Sequence, residues 1–149
     1  MAIEFARDVL GYEDANSTEF DEHTTHNIID LMEDQKRTIN KGGSMRLGAY
    51  PCQLKEGSRV REIYACEKIQ ERHRHRYELN HAYQQELEEN GLICSGINPD
   101  SGLTEIIELK DHPWFIGTQF HPEYSSTVLH PHPLFLSFMQ TLVIKMEKN

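Results

Sequence analysis

Residues 114–120, WFIGTQF, form the most apolar strand-type run in the chain and stop at His121-Pro122. A continuous apolar run, rather than an alternating one, predicts a strand buried on both faces. Such a strand belongs at the centre of a sheet, with helices covering it. Ile3, Phe5, Ala6, Val9 and Leu10 recur at helical spacing ahead of Gly11, a C-terminal stop. Residues 134–148 read as a terminal amphipathic helix, with Lys145 and Lys148 where the helix dipole favours cations. The fold class predicted is α/β.

The intervening segments add strands. Residues 45–54 alternate loosely, and Pro51 marks an edge strand or a strand end. Residues 56–59 read as a turn, and residues 61–69 are ambiguous between helix and strand. In residues 71–79, ERHRHRYEL, extended backbone puts Arg72, Arg74 and Arg76 on one face and His73, His75 and Tyr77 on the other. Asn80 caps a helix over residues 81–90 that Gly91 stops. Residues 92–97 and 103–109 pair as a hairpin around the turn 98–102, NPDSG. Residues 13–44 are polar except near 28–32. They read as a long surface loop with one short ordered piece, and Lys41-Gly42-Gly43-Ser44 as a flexible turn.

Charge and composition narrow the function classes. The 149 residues carry 15 Lys+Arg against 24 Asp+Glu, a formal charge of -9, which counts against a nucleic-acid binder. No apolar run approaches the roughly 20 residues of a bilayer span, and no basic-then-apolar leader opens the sequence. The cysteines, Cys52, Cys66 and Cys94, are far apart and form no CxxC. Neither a disulfide framework nor a cysteine zinc site is expected, and a reducing, cytoplasmic compartment fits. The 38% hydrophobic content is low for one covered sheet, so the domain is either loop-rich or short of part of its core.

The sharpest chemical feature is Gln119-Phe120-His121-Pro122-Glu123-Tyr124. A strand delivers His121 to its end, and extended spacing of two puts Glu123 on the same side. A carboxylate beside an imidazole is the base-and-orienter half of a nucleophilic triad, although a His-Pro turn with an exposed Glu has the same sequence. A nucleophile on a G-x-C-x-G or G-x-S-x-G turn is not found. Cys94 sits inside a strand and reads as a small buried residue. The Arg72–Arg76 cluster suits an anionic ligand or neighbouring acids equally. His23 and His26, with Asp21 and Asp30, look like half a metal site without a third ligand, so solvent-exposed histidines and no metal are expected. His130 and His132 read as turn or cap residues leading into the last helix.

Five stretches together carry a resemblance. ANSTEF at 15–20, GGSMRLGAYPC at 42–52, ERHRHRYE at 71–78, DHPWFIGTQFHPEY at 111–124 and HPHPLF at 130–135 resemble, in order and over essentially the whole chain, the glutaminase domain of CTP synthases, a class I glutamine amidotransferase domain. That family makes CTP from UTP, ATP and glutamine. The resemblance implies His121 as general base, Glu123 as its orienter, Glu19 and Arg76 as glutamine-binding residues, and Arg46 as a position linked to activation by GTP. It implies no cofactor in this chain, ATP and Mg2+ in a synthetase domain, and a homotetramer. The sequence departs from the family at its start. The G-x-C-L-G-M-Q elbow expected just before the first helix is not there, since the chain opens Met1-Ala2-Ile3-Glu4. Residues 1–149 are therefore expected to be a partial amidotransferase domain. The first strands, the cysteine and the synthetase domain are expected outside it, and the chain alone is expected to be inactive. The alternatives are a non-catalytic binding module and the C-terminal piece of a split synthase.

Overall fold

The structure, a computed structural model, describes residues 1–31 and 45–147. The turn expected at Lys41–Ser44 lies outside the described residues. Helix α1 (Ala2–Asp8) buries Ala2, Phe5 and Ala6, and has no side-chain cap at Met1. The chain then leaves at Gly11, whose φ of +78° is open to glycine at no steric cost.

Two sheets follow. The smaller has the order β1-β2-β5, from β1 (Asn16–Ser17), β2 (Asn27–Leu31) and β5 (Tyr77–Leu79). β1 runs parallel to β2 and β5 antiparallel to it. The larger has the order β4-β3-β6-β7-β8, from β3 (Arg46–Leu54), β4 (Lys68–His75), β6 (Leu92–Ile97), β7 (Thr104–Leu109) and β8 (Ile116–Thr118), with every neighbour antiparallel. Helices α2 (Arg59–Tyr64), α3 (Gln84–Glu89) and α4 (Pro133–Glu147) complete the fold.

Local chemistry explains most boundaries. Residues 61–69 resolve into the end of α2, which Ser58 caps by accepting from Arg61 N–H, and the start of β4. Asn80 caps a short 3-10 turn by accepting from Ala82 N–H, and α3 follows. The β6–β7 turn is held by Asn98 Oδ1, which accepts from the N–H groups of Asp100 and Ser101. Pro51 sits where β3 pairs with β4 alone, since β6 reaches only Gln53 and Leu54. Gly96 on β6 lets side chains of the flanking strands close over it: a Cβ there would lie 2.6 Å from Ile106 Cγ1 of β7 and 2.7 Å from Cys52 Sγ of β3. One apolar cluster joins α1 to Ile28, Leu79, Leu87 and Leu92. The other gathers Cys52, Leu54, Val60, Ile106, Phe120 and Leu134.

Two expectations change. Residues 13–31 hold more than the one ordered piece expected near 28–32: β2 is that piece, and β1 adds Asn16–Ser17. Among the described residues the run at 114–120 is not a central strand. Only Ile116–Thr118 pair, with β7 alone, and each is half-buried at the sheet edge. Its apolar residues serve other packing: Trp114 stacks edge-on with Phe138 of α4 at 4.9 Å and donates to Ser137 Oγ, and Phe120 fills the second cluster. Apolar content reports burial of faces, not the number of paired neighbours. The last helix, α4, is present as expected and its apolar residues are open: Met139, Val143, Ile144 and Met146 are more than half exposed. Among the described residues no helix is long and apolar enough to cross a membrane.

Candidate active site around His121

Past β8 the chain turns back along β4, where His121 N–H donates to Arg72 O at 2.9 Å. Pro122 then opens a short 3-10 helix (Pro122–Ser125). Proline fits that first position because it has no N–H to lose and its φ is preset. The helix brings Glu123 back toward the imidazole: His121 Nδ1 lies 2.7 Å from Glu123 Oε1. The pairing thus comes from one tight turn, not from the extended spacing the sequence suggested. Glu123 is held below the usual carboxylate range by its own backbone N–H and by His121. With Nδ1–H donated to that carboxylate, Nε2 carries the free lone pair. Nε2 has no hydrogen-bond partner among the described residues, and the ring, stacked on Tyr124 at 5.1 Å, is 36% exposed at its side chain. Nε2 is therefore open to a reactant.

Glu19 and Arg76 are both exposed. Glu19 follows β1, and Arg76 sits at the bend between β4 and β5. Because β1 is parallel and β5 antiparallel to β2, both flank the same end of the small sheet, where Leu31 pairs with Tyr77. Arg46 is placed differently, with a buried side chain. Its Nη2 donates to Glu105 Oε1 at 2.7 Å and its Nη1 to Glu78 Oε1 at 3.4 Å, and Cζ lies 4.4 Å from the Tyr50 ring centroid. Glu78 Oε2 accepts from Gln119 Nε2, which ties Arg46 to the strand leading into His121.

Next to these carboxylates His75 Nδ1 donates to Tyr77 O, so its Nε2 accepts from His73 Nδ1 at 2.8 Å. Donor atoms of His73, His75 and Glu105 lie within 4.8 Å of one another. The facing imidazole nitrogens already share a hydrogen bond and Glu105 already faces a cation, so the cluster closes largely on itself. Within it, His73 Nε2 and Glu105 Oε2 lack a hydrogen-bond partner. His26 pairs with Asp14 and stacks on Tyr12, while His23 is exposed. His132 accepts from Leu134 N–H through Nδ1 and donates to Glu71 from Nε2, fastening the start of α4 to β4. Cys94 is buried with its thiol pushed up to about 11, and burial pushes Cys52 up to about 12. Cys66 is exposed, and no thiol hydrogen-bonds His121.

The family model of class I glutamine amidotransferases matches residues 1–141. The chain belongs to the class I glutamine amidotransferase family. It is 64% identical over 145 residues to a CTP synthase of Bacteroides fragilis, which covers 97% of this chain and 27% of that relative. A CTP synthase of Bacteroides thetaiotaomicron is 60% identical over the whole chain, which spans 28% of its length. The chain thus spans little more than a quarter of the curated relatives it matches. Among solved structures, the Trypanosoma brucei CTPS glutaminase domain with bound acivicin superposes with a TM-score of 0.86 at 38% identity, covering 94% of this chain and 55% of that one.

The amidotransferase chain holds more site-related residues than its sequence revealed. Glu78 and Glu105 carry no role in the sequence reading, and Gln119 enters it only as the first residue of the motif that holds His121. The available signal was polar residues on the inward face of predicted strands, a costly placement unless they pair. Their pairing has a pH signature. Burial raises Glu78 from 4.5 to about 7, against the pull of Arg46, and burial also raises Glu105 above the usual carboxylate range. The folded state then holds protons the unfolded chain has released, so this contribution to stability falls as pH rises from about 4.5 through about 7. His73, depressed by burial to about 3, and His75, to about 4, act oppositely: their contribution is lost as pH falls below about 6.5. Glu78→Gln removes the first of these contributions alone. By urea unfolding, the stability of the parent chain relative to Glu78→Gln is therefore expected to fall between pH 4.5 and 7 by at most about 1.4 kcal/mol per pH unit for one proton.

Proposed function

We propose that this chain supplies the base half of the glutaminase site of a CTP synthase. The observation that carries the reading is the His121–Glu123 pair, 2.7 Å apart with Nε2 left open. In the proposed reaction His121 Nε2 takes the proton of a cysteine thiol carried by another part of the protein. The thiolate adds to the glutamine amide carbon, and the oxyanion is held by backbone N–H groups. His121 returns the proton to the leaving nitrogen as ammonia departs, leaving a thioester. It then draws a proton from the water that hydrolyses the thioester to glutamate and free thiol. Glu123 keeps the tautomer and stabilises the imidazolium. Glu19 suits the substrate ammonium and Arg76 its carboxylate, and their placement at one end of the small sheet supports a shared substrate.

The ammonia would serve a synthetase domain that uses ATP, Mg2+ and UTP, in a cytoplasmic homotetramer. These features come with the resemblance to CTP synthases. Arg46, the position the resemblance links to GTP, has its guanidinium engaged by Glu78 and Glu105. A nucleotide effect there would travel through Glu78 and Gln119 to the His121 strand.

The test uses this chain joined to the cysteine-bearing remainder of a CTP synthase. His121→Ala is expected to lower glutamine-dependent CTP formation by about 10^4-fold or more, while CTP formation from added ammonia persists. Glutamine turnover that survives His121→Ala would overturn the assignment.

A further inference from the structure

His121 and Glu123 share one short turn, and their side chains are 36% and 56% exposed. The hydrogen bond from Nδ1 to Glu123 Oε1 fixes one point of the imidazole and leaves the plane of the ring free to swing about it. Nε2 lies across the ring from Nδ1, so such a swing displaces the atom that must meet the thiol. A misplacement of about 1 Å costs about 10^2-fold in rate. The plane is held by Tyr124, whose ring stacks on His121 with centroids 5.1 Å apart and planes 27° from parallel, a favourable offset geometry for an aromatic pair. Tyr124 is itself tied to the turn and to β4. Its N–H donates to His121 O at 3.1 Å, and Arg72 Cζ lies 5.9 Å from its ring centroid, within cation–π reach. Arg72 O accepts from His121 N–H at 2.9 Å, so one residue of β4 holds both the backbone of the base and the ring stacked on it. The Tyr124 hydroxyl makes no hydrogen bond among the described residues, so only the aromatic face is engaged.

We propose that Tyr124 is a positioning residue for the base: its ring sets the plane of the His121 imidazole and so the direction of Nε2. The proposal rests on the functional reading above, which makes His121 the base. Once Nε2 has taken the thiol proton the ring is an imidazolium, and an aromatic face within about 6 Å attracts a cation. The attraction is absent while His121 is neutral, so it lowers the barrier to thiol addition and does not tighten glutamine binding. Glu19 and Arg76, which suit the charged groups of the substrate, lie at one end of the small sheet and not on this turn. Tyr124 is therefore expected to act on kcat and to leave KM alone.

The experiment uses this chain joined to the cysteine-bearing remainder of a CTP synthase. Tyr124→Leu is expected to lower kcat for glutamine-dependent CTP formation about 10- to 100-fold, with KM for glutamine within about twofold of the parent. CTP formation from added ammonia is expected at the parent rate, which shows that the variant has folded. Tyr124→Phe keeps the ring and is expected to keep the parent kcat within about twofold. The inference is overturned by a parent-like kcat in Tyr124→Leu, by a loss that falls on KM alone, or by Tyr124→Phe as impaired as Tyr124→Leu. Tyr124 is half-exposed, so its truncation opens no buried cavity. Should ammonia-dependent synthesis nevertheless fall, proton NMR of the unsubstituted 149-residue chain decides: nuclear Overhauser contacts between the Tyr124 ring and His121 Hδ2 are expected, and their absence overturns the inference. His121→Ala is assayed beside these variants. Loss of glutamine turnover there, with none in Tyr124→Leu, refutes the positioning role and leaves the base standing. Glutamine turnover that survives His121→Ala removes the base, and the positioning role with it.

Discussion

Purified alone, the 149-residue chain is expected to release no ammonia from glutamine above the uncatalysed background. A base accelerates nothing without a nucleophile to deprotonate, and the reactive form of cysteine is the thiolate. Cys52 and Cys94 are buried, with thiols raised to about 12 and about 11, so almost none of either is thiolate at neutral pH. Cys66 is exposed, and its Sγ lies 3.3 Å from Lys68 O on the turn before β4. An ammonia-release assay checks the expectation. Turnover that survives His121→Ala but disappears in Cys94→Ala would place the chemistry at β6 and refute the account.

The largest effect on stability is expected at Arg46. Its buried guanidinium is the only cation within salt-bridge distance of Glu105 and Glu78 other than the neighbouring histidines, among the described residues. Burial depresses those histidines to about 3 and about 4, so they are neutral at pH 7 and cannot replace it. Arg46→Met leaves two buried carboxylates facing each other, and breaking a buried pair in this way costs about 3–5 kcal/mol. Domains are commonly stable by only about 5–15 kcal/mol, so the urea midpoint should fall steeply or the chain should not fold. Adding Glu78→Gln and Glu105→Gln to the same variant should recover part of the loss, since carboxamides carry no charge to bury. A cost below about 1 kcal/mol for Arg46→Met would mean the network contributes little to folding.

The hairpin 92–109, the capped segment after Asn80 and the face alternation of residues 71–75 were legible because turn chemistry and period-2 patterning are local. Arg72 and Arg74 are exposed while His73 is buried, as alternation required. Strand order was not legible. Whether residues 116–118 lie at the centre or the edge depends on which segments come alongside, and no property of WFIGTQF encodes that. The pair His121–Glu123 was legible as a motif, but its geometry came from the turn that Pro122 opens. The Arg46–Glu78–Glu105 network joins residues 59 positions apart in the case of Arg46 and Glu105, so only the fold reveals it.

The most direct test of the central claim is the protonation of His121, read by nitrogen-15 NMR of the imidazole at pH 7.5. In the neutral form the proton is expected on Nδ1 and the lone pair on Nε2, with a shift toward the Nε2–H tautomer in Glu123→Gln. A ring that carries its proton on Nε2, unchanged by Glu123→Gln, would contradict it, because the atom needed to accept a thiol proton would already be occupied.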